Sequence, residues 1–174
     1  LEFRRVLFRS PQPVSDNLLY GEFHENSKHT TRMPYMKPVY DVLEKNRGKV
    51  IYFDFWARWC PPCLAEMEPL KQLRSKFSTD DLIIYSICVS EPKEQWEECL
   101  NEYSLRNRGI ECVHVTDYLG IDNYQKIRKQ WKIDRMPYYI LINRQGQIID
   151  FGTAARPSNP QLVSRIEEAV KDTK

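Results

Sequence analysis

Two cysteines three positions apart, in the run Trp59-Cys60-Pro61-Pro62-Cys63, are the residues of this chain best placed to do chemistry. In the first turn of a helix that spacing puts both on one side, close enough for their sulfurs to bond without moving the backbone. A sulfur at a helix start meets backbone N–H groups that have no helical partner and the positive end of the helix dipole, so its thiolate is favoured and its pKa falls. Cys60 is the expected attacking thiol. Pro61 and Pro62 are tolerated in a first turn, but they remove two donors and leave the Cys63 amide as the main one near the Cys60 sulfur. The Pro-Pro insert must therefore bear on the redox poise of the pair.

The bland readings of this pair are weaker. Half of a zinc site has the same spacing, but Cys88, Cys99, Cys112, His24, His29 and His114 supply no second close pair of ligands. Two buried structural cysteines would not be expected in a turn between a strand and a helix, at a strand end where sites collect. The cysteine count of five is odd, so at least one thiol is unpaired. Cys88 and Cys99 read as small buried hydrophobes, and Cys112 either stays free or pairs with Cys99.

The elements that position the pair follow from periodicity. Lys49 to Trp56 is β-branched and aromatic almost throughout, a central strand covered on both faces. After Cys60, Leu64, Met67, Leu70, Leu73 and Phe77 recur at helical spacing. Upstream, Val39, Val42 and Leu43 mark a short helix over Val39 to Lys45, stopped by Gly48. Downstream, a strand over Asp81 to Val89 precedes a helix over Glu91 to Tyr103 with Trp96, Cys99, Leu100 and Tyr103 on one side. Glu111 to Val115 is a short strand and Tyr124 to Trp131 a helix. Pro137 to Ile142 and Gln147 to Phe151 flank the turn residues Asn143 to Gly146, a β-hairpin. Asn159 to Val170 closes the chain as an amphipathic helix with Leu162, Val163, Ile166 and Val170 inward and Pro160 in its first turn. Alternating strands and helices with a terminal hairpin predict an α/β fold, a mixed sheet with helices on both faces.

Composition bounds the rest. With 174 residues, the chain is one domain with some residues to spare, and 41% hydrophobic against 29% charged residues is ordinary globular composition. The 26 basic and 24 acidic residues are interspersed for a net +2, so no concentrated positive field exists to hold nucleic acid. Apolar runs such as Val50 to Phe53 and Leu82 to Tyr85 fall far short of the ~20 residues that span a bilayer. Residues 1–10, Arg-rich and unpatterned, read as a vector or processing remnant. Residues 11–36, rich in Pro, Ser, Asn and charge, read as an N-terminal arm, and 37–174 as the folded domain.

The run from Asp54 to Cys63, Asp-Phe-Trp-Ala-Arg-Trp-Cys-Pro-Pro-Cys, resembles the active-site signature of the thioredoxin superfamily. The added helix and strand from Glu91 to Val115, Ala65-Glu66-Met67 after the cysteines, and Met136-Pro137 before the hairpin look most like the TlpA/ResA-like branch, over Val39 to Val170. The resemblance implies a thioredoxin fold with a helix-strand unit inserted between the second strand and the hairpin. It gives Cys63 the role of resolving the mixed disulfide. It makes Met136 and Pro137 a cis-proline loop opposite the cysteines that pairs with an extended substrate, where the bland reading of Pro137 is the start of a strand.

Two carboxylates are candidates for moving protons. Asp54 stands in an otherwise apolar strand, where burial raises its pKa unless a partner or water reaches it, and it matches the buried acid of thioredoxins. Glu66, one helical turn beyond Cys63, matches the glutamate that TlpA/ResA-like proteins keep beside the cysteines, and its spacing alone equally allows a solvated helix residue. Trp59, Pro62, Met136, Pro137 and Gly152 would form an apolar docking surface around Cys60, with Trp56 packed beneath and Gly152 matching a family glycine that lets a partner approach. One departure stands out: Glu68 intervenes before Pro69, so the proline comes one residue later than in the family and the helix kink is displaced or lost.

The reading that follows is dithiol-disulfide exchange with protein thiols and disulfides. The resemblance implies a reductant in a bacterial periplasm or cell envelope, fed by an upstream thiol reductant, as a monomer with no metal, nucleotide or flavin. Oxidase or isomerase activity is the nearest alternative. A peroxiredoxin-like peroxidase would need a Pro-x-x-x-Thr/Ser-x-x-Cys context that Phe55 to Arg58 lacks, and a non-catalytic binding module would have no use for an intact cysteine pair.

Overall fold

The computed structural model describes residues 33–90 and 92–172; the expected remnant, most of the arm, His24 and His29 lie outside them. A turn of 3-10 helix at Pro34–Met36 leads directly into α1 (Lys37–Lys45). Met36 is fully buried, so the folded body begins before Lys37 and takes in the last residues assigned to the arm. Gly48, at φ +74°, turns the chain into β1 (Val50–Trp56).

Every residue of β1 is buried, because it is the middle strand of a five-stranded sheet ordered β3-β2-β1-β4-β5. β2 (Leu82–Cys88) and β3 (Ile110–His114) run parallel to it; β4 (Tyr138–Ile142) and β5 (Ile148–Gly152) form the antiparallel hairpin on the other side. Period-two alternation sends Ile51, Phe53 and Phe55 to one face, against Val39 and Leu43 of α1 and Tyr124 and Ile127 of α6 (Ile121–Gln130). It sends Val50 and Tyr52 to the other, against Leu70 and Leu73 of α3 (Met67–Lys76) and Leu162 and Ile166 of α7 (Pro160–Lys171). Each such side chain, fully buried, is worth about 1.5–3 kcal/mol in transfer free energy.

The inserted helix-strand unit is α4 (Lys93–Glu102) followed by β3, and a single extra turn, α5 (Val115–Tyr118), precedes α6. The periodicity did not show α5, because four residues are too few for a period. α6 starts earlier than expected, at Ile121, after the N-cap Gly120, whose φ of +76° sets the helix entry. Asn143 anchors the hairpin turn by accepting the Gln145 and Gln147 amides on its side-chain oxygen. Asn159 caps α7 in the same manner by accepting the Gln161 amide. On α7 the fully inward positions are Leu162, Ile166 and Ala169, while Val163 and Val170 lie at the margin of the core.

Candidate active site

The chain leaves the carboxyl end of β1 at Trp56, turns with the Cys60 amide donating to the Ala57 carbonyl at 3.1 Å, and enters α2 (Pro61–Ala65). Cys60 is the N-cap, with extended backbone at φ −111° and ψ 92°. The Cys63 N–H lies 3.3 Å from the Cys60 sulfur, the contact left open to it once Pro61 and Pro62 remove the two intervening donors. The two sulfurs are bonded, with Cα atoms 5.3 Å apart. Cys60 keeps 5% of its surface and Cys63 only 1%, so Cys60 is the more accessible of the two.

The helix that carries the pair is broken once. Ala65 ends α2, Glu66 sits at φ −88° and ψ −4°, and Met67 opens α3. The cause is Pro69: four residues beyond Ala65, it has no N–H for the Ala65 carbonyl and its ring would collide with that carbonyl. The kink that the displaced proline put in question is therefore present, centred on Glu66. The break turns the Glu66 carboxylate toward the segment before α7, where it accepts the Ser158 backbone N–H at 2.8 Å and the Ser158 hydroxyl at 2.7 Å.

Asp54 is 4% exposed, on the β1 face that carries Tyr52. Its cross-strand neighbours are Ser86 on β2 and Tyr139 on β4. Burial pushes its carboxyl up from the ordinary 3.8 to about 7; a hydrogen bond from the Ser86 hydroxyl at 3.0 Å works in the opposite direction, and the negative Glu66 adds to the rise. A carboxyl so poised holds its proton part of the time at neutral pH. The Tyr139 hydroxyl, buried and without a hydrogen-bond partner among the described residues, is pushed upward by burial and then by the charges of Asp54 and Glu66.

The remaining predicted residues gather at the same end of the sheet. Met136-Pro137 is a cis peptide bond, and Tyr138, which follows, pairs with Phe55 near the end of β1. Met136 packs against the cluster that contains Cys60, Cys63, Trp56 and Met67. Trp59 is 67% exposed beside Cys60, and Pro62 is exposed in α2. Gly152 pairs with Tyr139 and has φ +89°; a Cβ there would meet nothing within 4 Å, so glycine is needed for its backbone and not for crowding within the chain.

Sequence reasoning missed the residues that tie the loop down from behind. The Arg58 amide donates to Ser90 Oγ at 3.2 Å, and its guanidinium reaches Cys99 Sγ at 3.1 Å and Glu102 at 3.5 Å on α4. Ser90 also meets the Cys88 sulfur at 3.1 Å, and its carbonyl bonds His114 Nε2 at 2.8 Å, which explains a buried histidine that had no motif. The pairing of β2 with β1 on one side and with β3 on the other brings these groups together, and no spacing in the sequence encodes it. Cys88, Cys99 and Cys112 are all free, so the Cys99-Cys112 alternative is not realised. Burial pushes the Cys88 thiol up and the Cys112 thiol up to about 12, which keeps both protonated and inert at neutral pH.

A Cys-x-x-Cys pair at a helix start beyond the middle strand of such a sheet, with a cis-proline loop at the same end, defines a thioredoxin-fold protein. Comparison with known proteins agrees: residues 37–170 match the Redoxin family. A thiol-disulfide oxidoreductase ResA from Halalkalibacterium halodurans is 25% identical over 129 residues, 74% of this chain and 66% of that one. Sporulation thiol-disulfide oxidoreductase A of Bacillus subtilis is 22% identical over 108 residues, 62% of this chain and 61% of that one. The chain thus spans less than two thirds of the length of these curated relatives. Among solved structures, a thiol:disulfide interchange protein from Bacteroides sp. superposes with a TM-score of 0.61 at 23% identity, covering 76% of this chain and 80% of that one. The chain belongs to the Redoxin family, as a thioredoxin-superfamily protein of the TlpA/ResA-like kind.

Proposed function

We propose that this protein is a thiol-disulfide oxidoreductase that reduces disulfides of partner proteins in a bacterial cell envelope. The observation that carries the reading is the Cys63 N–H facing the Cys60 sulfur at the start of α2, with the more accessible of the two sulfurs belonging to Cys60. In the reduced protein the Cys60 thiolate attacks one sulfur of a partner disulfide; a Cys60-partner bond forms and the first partner thiolate leaves. The Cys63 sulfur, having lost its proton, then attacks Cys60, closing the intramolecular disulfide and releasing the second partner thiol. Two electrons pass to the partner, and an upstream dithiol reductant restores the pair.

Asp54, at about 7, is matched to accepting the Cys63 proton near neutral pH, and the Glu66 charge beside it favours that uptake. Trp59, Pro62, Met136, Pro137 and Gly152 form the docking surface, the exposed indole supplying apolar area and the loop before β4 supplying backbone. One copy contains every group the cycle uses, so a monomer suffices, and no metal, flavin or nucleotide enters it. The cell-envelope setting and the reducing direction rest on the resemblance to TlpA/ResA-like proteins.

Insulin-disulfide reduction tests the activity, with Cys60→Ser expected to abolish it and Cys63→Ser expected to accumulate a mixed disulfide through Cys60. Equilibration with glutathione tests the direction: a potential near about −270 mV marks a reductant, and one near about −120 mV an oxidant and the end of this reading.

A further inference from the structure

We propose that the basic surface formed by the end of α6 and the loop into Pro137 selects protein substrates whose disulfide is flanked by acidic residues; the proposal rests on the exchange activity above. Residues 125–135 carry Lys126, Arg128, Lys129, Lys132 and Arg135 against a single Asp134, a net +4 within a chain of net +2, so the rest of the chain is net −2. All five basic residues are exposed. Arg135 pairs with its neighbour Asp134, whereas Lys126, Lys129 and Lys132 have no ion-pair partner among the described residues. Arg128, Lys129, Lys132 and Asp134 line an open groove of about 450 Å³.

Its position argues for a substrate role. The loop that carries Lys132 and Arg135 ends at Met136, which packs against the cluster holding Cys60 and Cys63, so these cations stand on the segment that leads directly into the docking loop at Pro137. The surface is also held in place. Trp131 and Ile133 are buried anchors; the Tyr138 hydroxyl donates to the Trp131 carbonyl at 3.0 Å, and Arg128 Nε donates to the Ile133 carbonyl at 2.8 Å. Arg128 and Lys129 also complement the negative end of the α6 dipole, which would account for those two in any protein. It does not account for Lys132, which stands at φ +51° just past the helix, a backbone position where glycine is favoured. A cation is kept there at a conformational cost, next to the route of the substrate.

Fixed charges beside a docking site act chiefly on the association rate, and they do so in a salt-dependent manner. The test uses three oxidised peptides with the same intramolecular disulfide, flanked by Asp/Glu, by Ser/Gly or by Lys, reduced by the pre-reduced protein. The second-order rate constant is expected to be about tenfold higher for the acidic than for the neutral peptide at low ionic strength, and lowest for the lysine peptide. The spread should close toward equality in about 1 M salt. Lys129→Glu with Lys132→Glu should invert the order, and Lys132→Gly, which relieves the backbone, should shrink the preference several-fold while leaving the neutral peptide and the folding stability unimpaired. Equal rates for the acidic and neutral peptides, or a preference that survives the double substitution, would overturn the proposal. So would variants that lose binding to anionic phosphatidylglycerol vesicles while the peptide preference stands, since the surface would then serve a membrane. If none of the peptides is reduced, the exchange activity itself falls and this proposal with it; reduction of the neutral peptide without preference sinks only the proposal.

Discussion

The Ser86 hydroxyl donates to the Asp54 carboxylate at 3.0 Å between two side chains that face each other across the β1–β2 pair, beneath the turn that carries the cysteines. Among the described residues it is the one hydrogen bond given to an acid that burial otherwise drives toward the protonated form, to about 7. Because the folded-state value lies above the ordinary 3.8, raising the pH ionises Asp54 in the unfolded chain first, and the folded state loses stability across that interval. The oxidised protein should therefore lose on the order of 3–4 kcal/mol between about pH 4 and pH 7 from this residue, with the slope flattening as the pH rises through about 7 and gone by about pH 8. Denaturant unfolding at a series of pH values should show this slope in the parent and not in Asp54→Asn.

Removing the opposing hydrogen bond should move the window upward. Ser86→Ala is expected to raise the Asp54 midpoint by about one pH unit, the size of a single charged hydrogen bond. Carboxyl carbon NMR of the oxidised form, in which Cys60 and Cys63 do not titrate, reads the midpoint directly. An unchanged midpoint would mean that the hydroxyl contributes nothing to the charged form.

Much of this site was legible in the chain before folding. The strand from Lys49 to Trp56, the paired cysteines and the prolines between them specify their own geometry, since each depends on near neighbours and on simple periodicity. Asp54 was conspicuous as the one acidic residue in an apolar strand. Ser86, Ser158, Ser90 and Arg58 were not, because a serine or an arginine in isolation has many harmless places to be. Ser86 matters only because β2 pairs with β1 in the register that sets it opposite Asp54, and Ser158 only because the break at Pro69 aims Glu66 at it. Register and the direction of a kink are tertiary outcomes, which local spacing cannot encode.

Trp59 presents a test of docking that folding does not confound. At 67% exposure it contributes little to the core, so Trp59→Ala should change unfolding free energy by less than about 0.5 kcal/mol. Reduction of insulin should nevertheless slow several-fold, while reduction of a small disulfide such as oxidised 2-mercaptoethanol stays near the parent rate. Equal losses on both substrates would place the indole in the chemistry of Cys60 and not in partner contact.

Glu66 and Ser158 distinguish a working carboxylate from a surface residue. If the Ser158 hydroxyl, together with the backbone N–H that the substitution leaves in place, holds Glu66 beside Asp54 for the resolving step, Ser158→Ala should slow closure of the Cys60-Cys63 disulfide from a preformed mixed disulfide by about 3–10-fold. The accompanying loss of stability should stay near 0.5–1.5 kcal/mol, the usual value of one hydrogen bond. A stability loss with no change in closure rate would leave Glu66 a tether for the segment before α7 and nothing more.

Pro69 offers the converse experiment, in which the fold gains and the site loses. It stands in the first turn of α3, where its missing N–H costs little, and the Leu70 amide closes the new helix on the Glu66 carbonyl at 2.8 Å. Pro69→Ala restores an N–H for the Ala65 carbonyl and removes the ring that blocks it, so α2 and α3 can run on as one helix. Straightening rotates Glu66 off Ser158, both of whose hydrogen bonds depend on the break. The variant should therefore unfold at equal or higher denaturant concentration than the parent while closing its disulfide more slowly, by at least as much as Ser158→Ala, which leaves the backbone N–H of residue 158 bonded to Glu66. Combining the two substitutions should add no slowing beyond that of Pro69→Ala, because Pro69→Ala already releases the carboxylate that the Ser158 hydroxyl helps to hold; additive losses would show that Pro69 acts on the cysteines by some route other than Glu66.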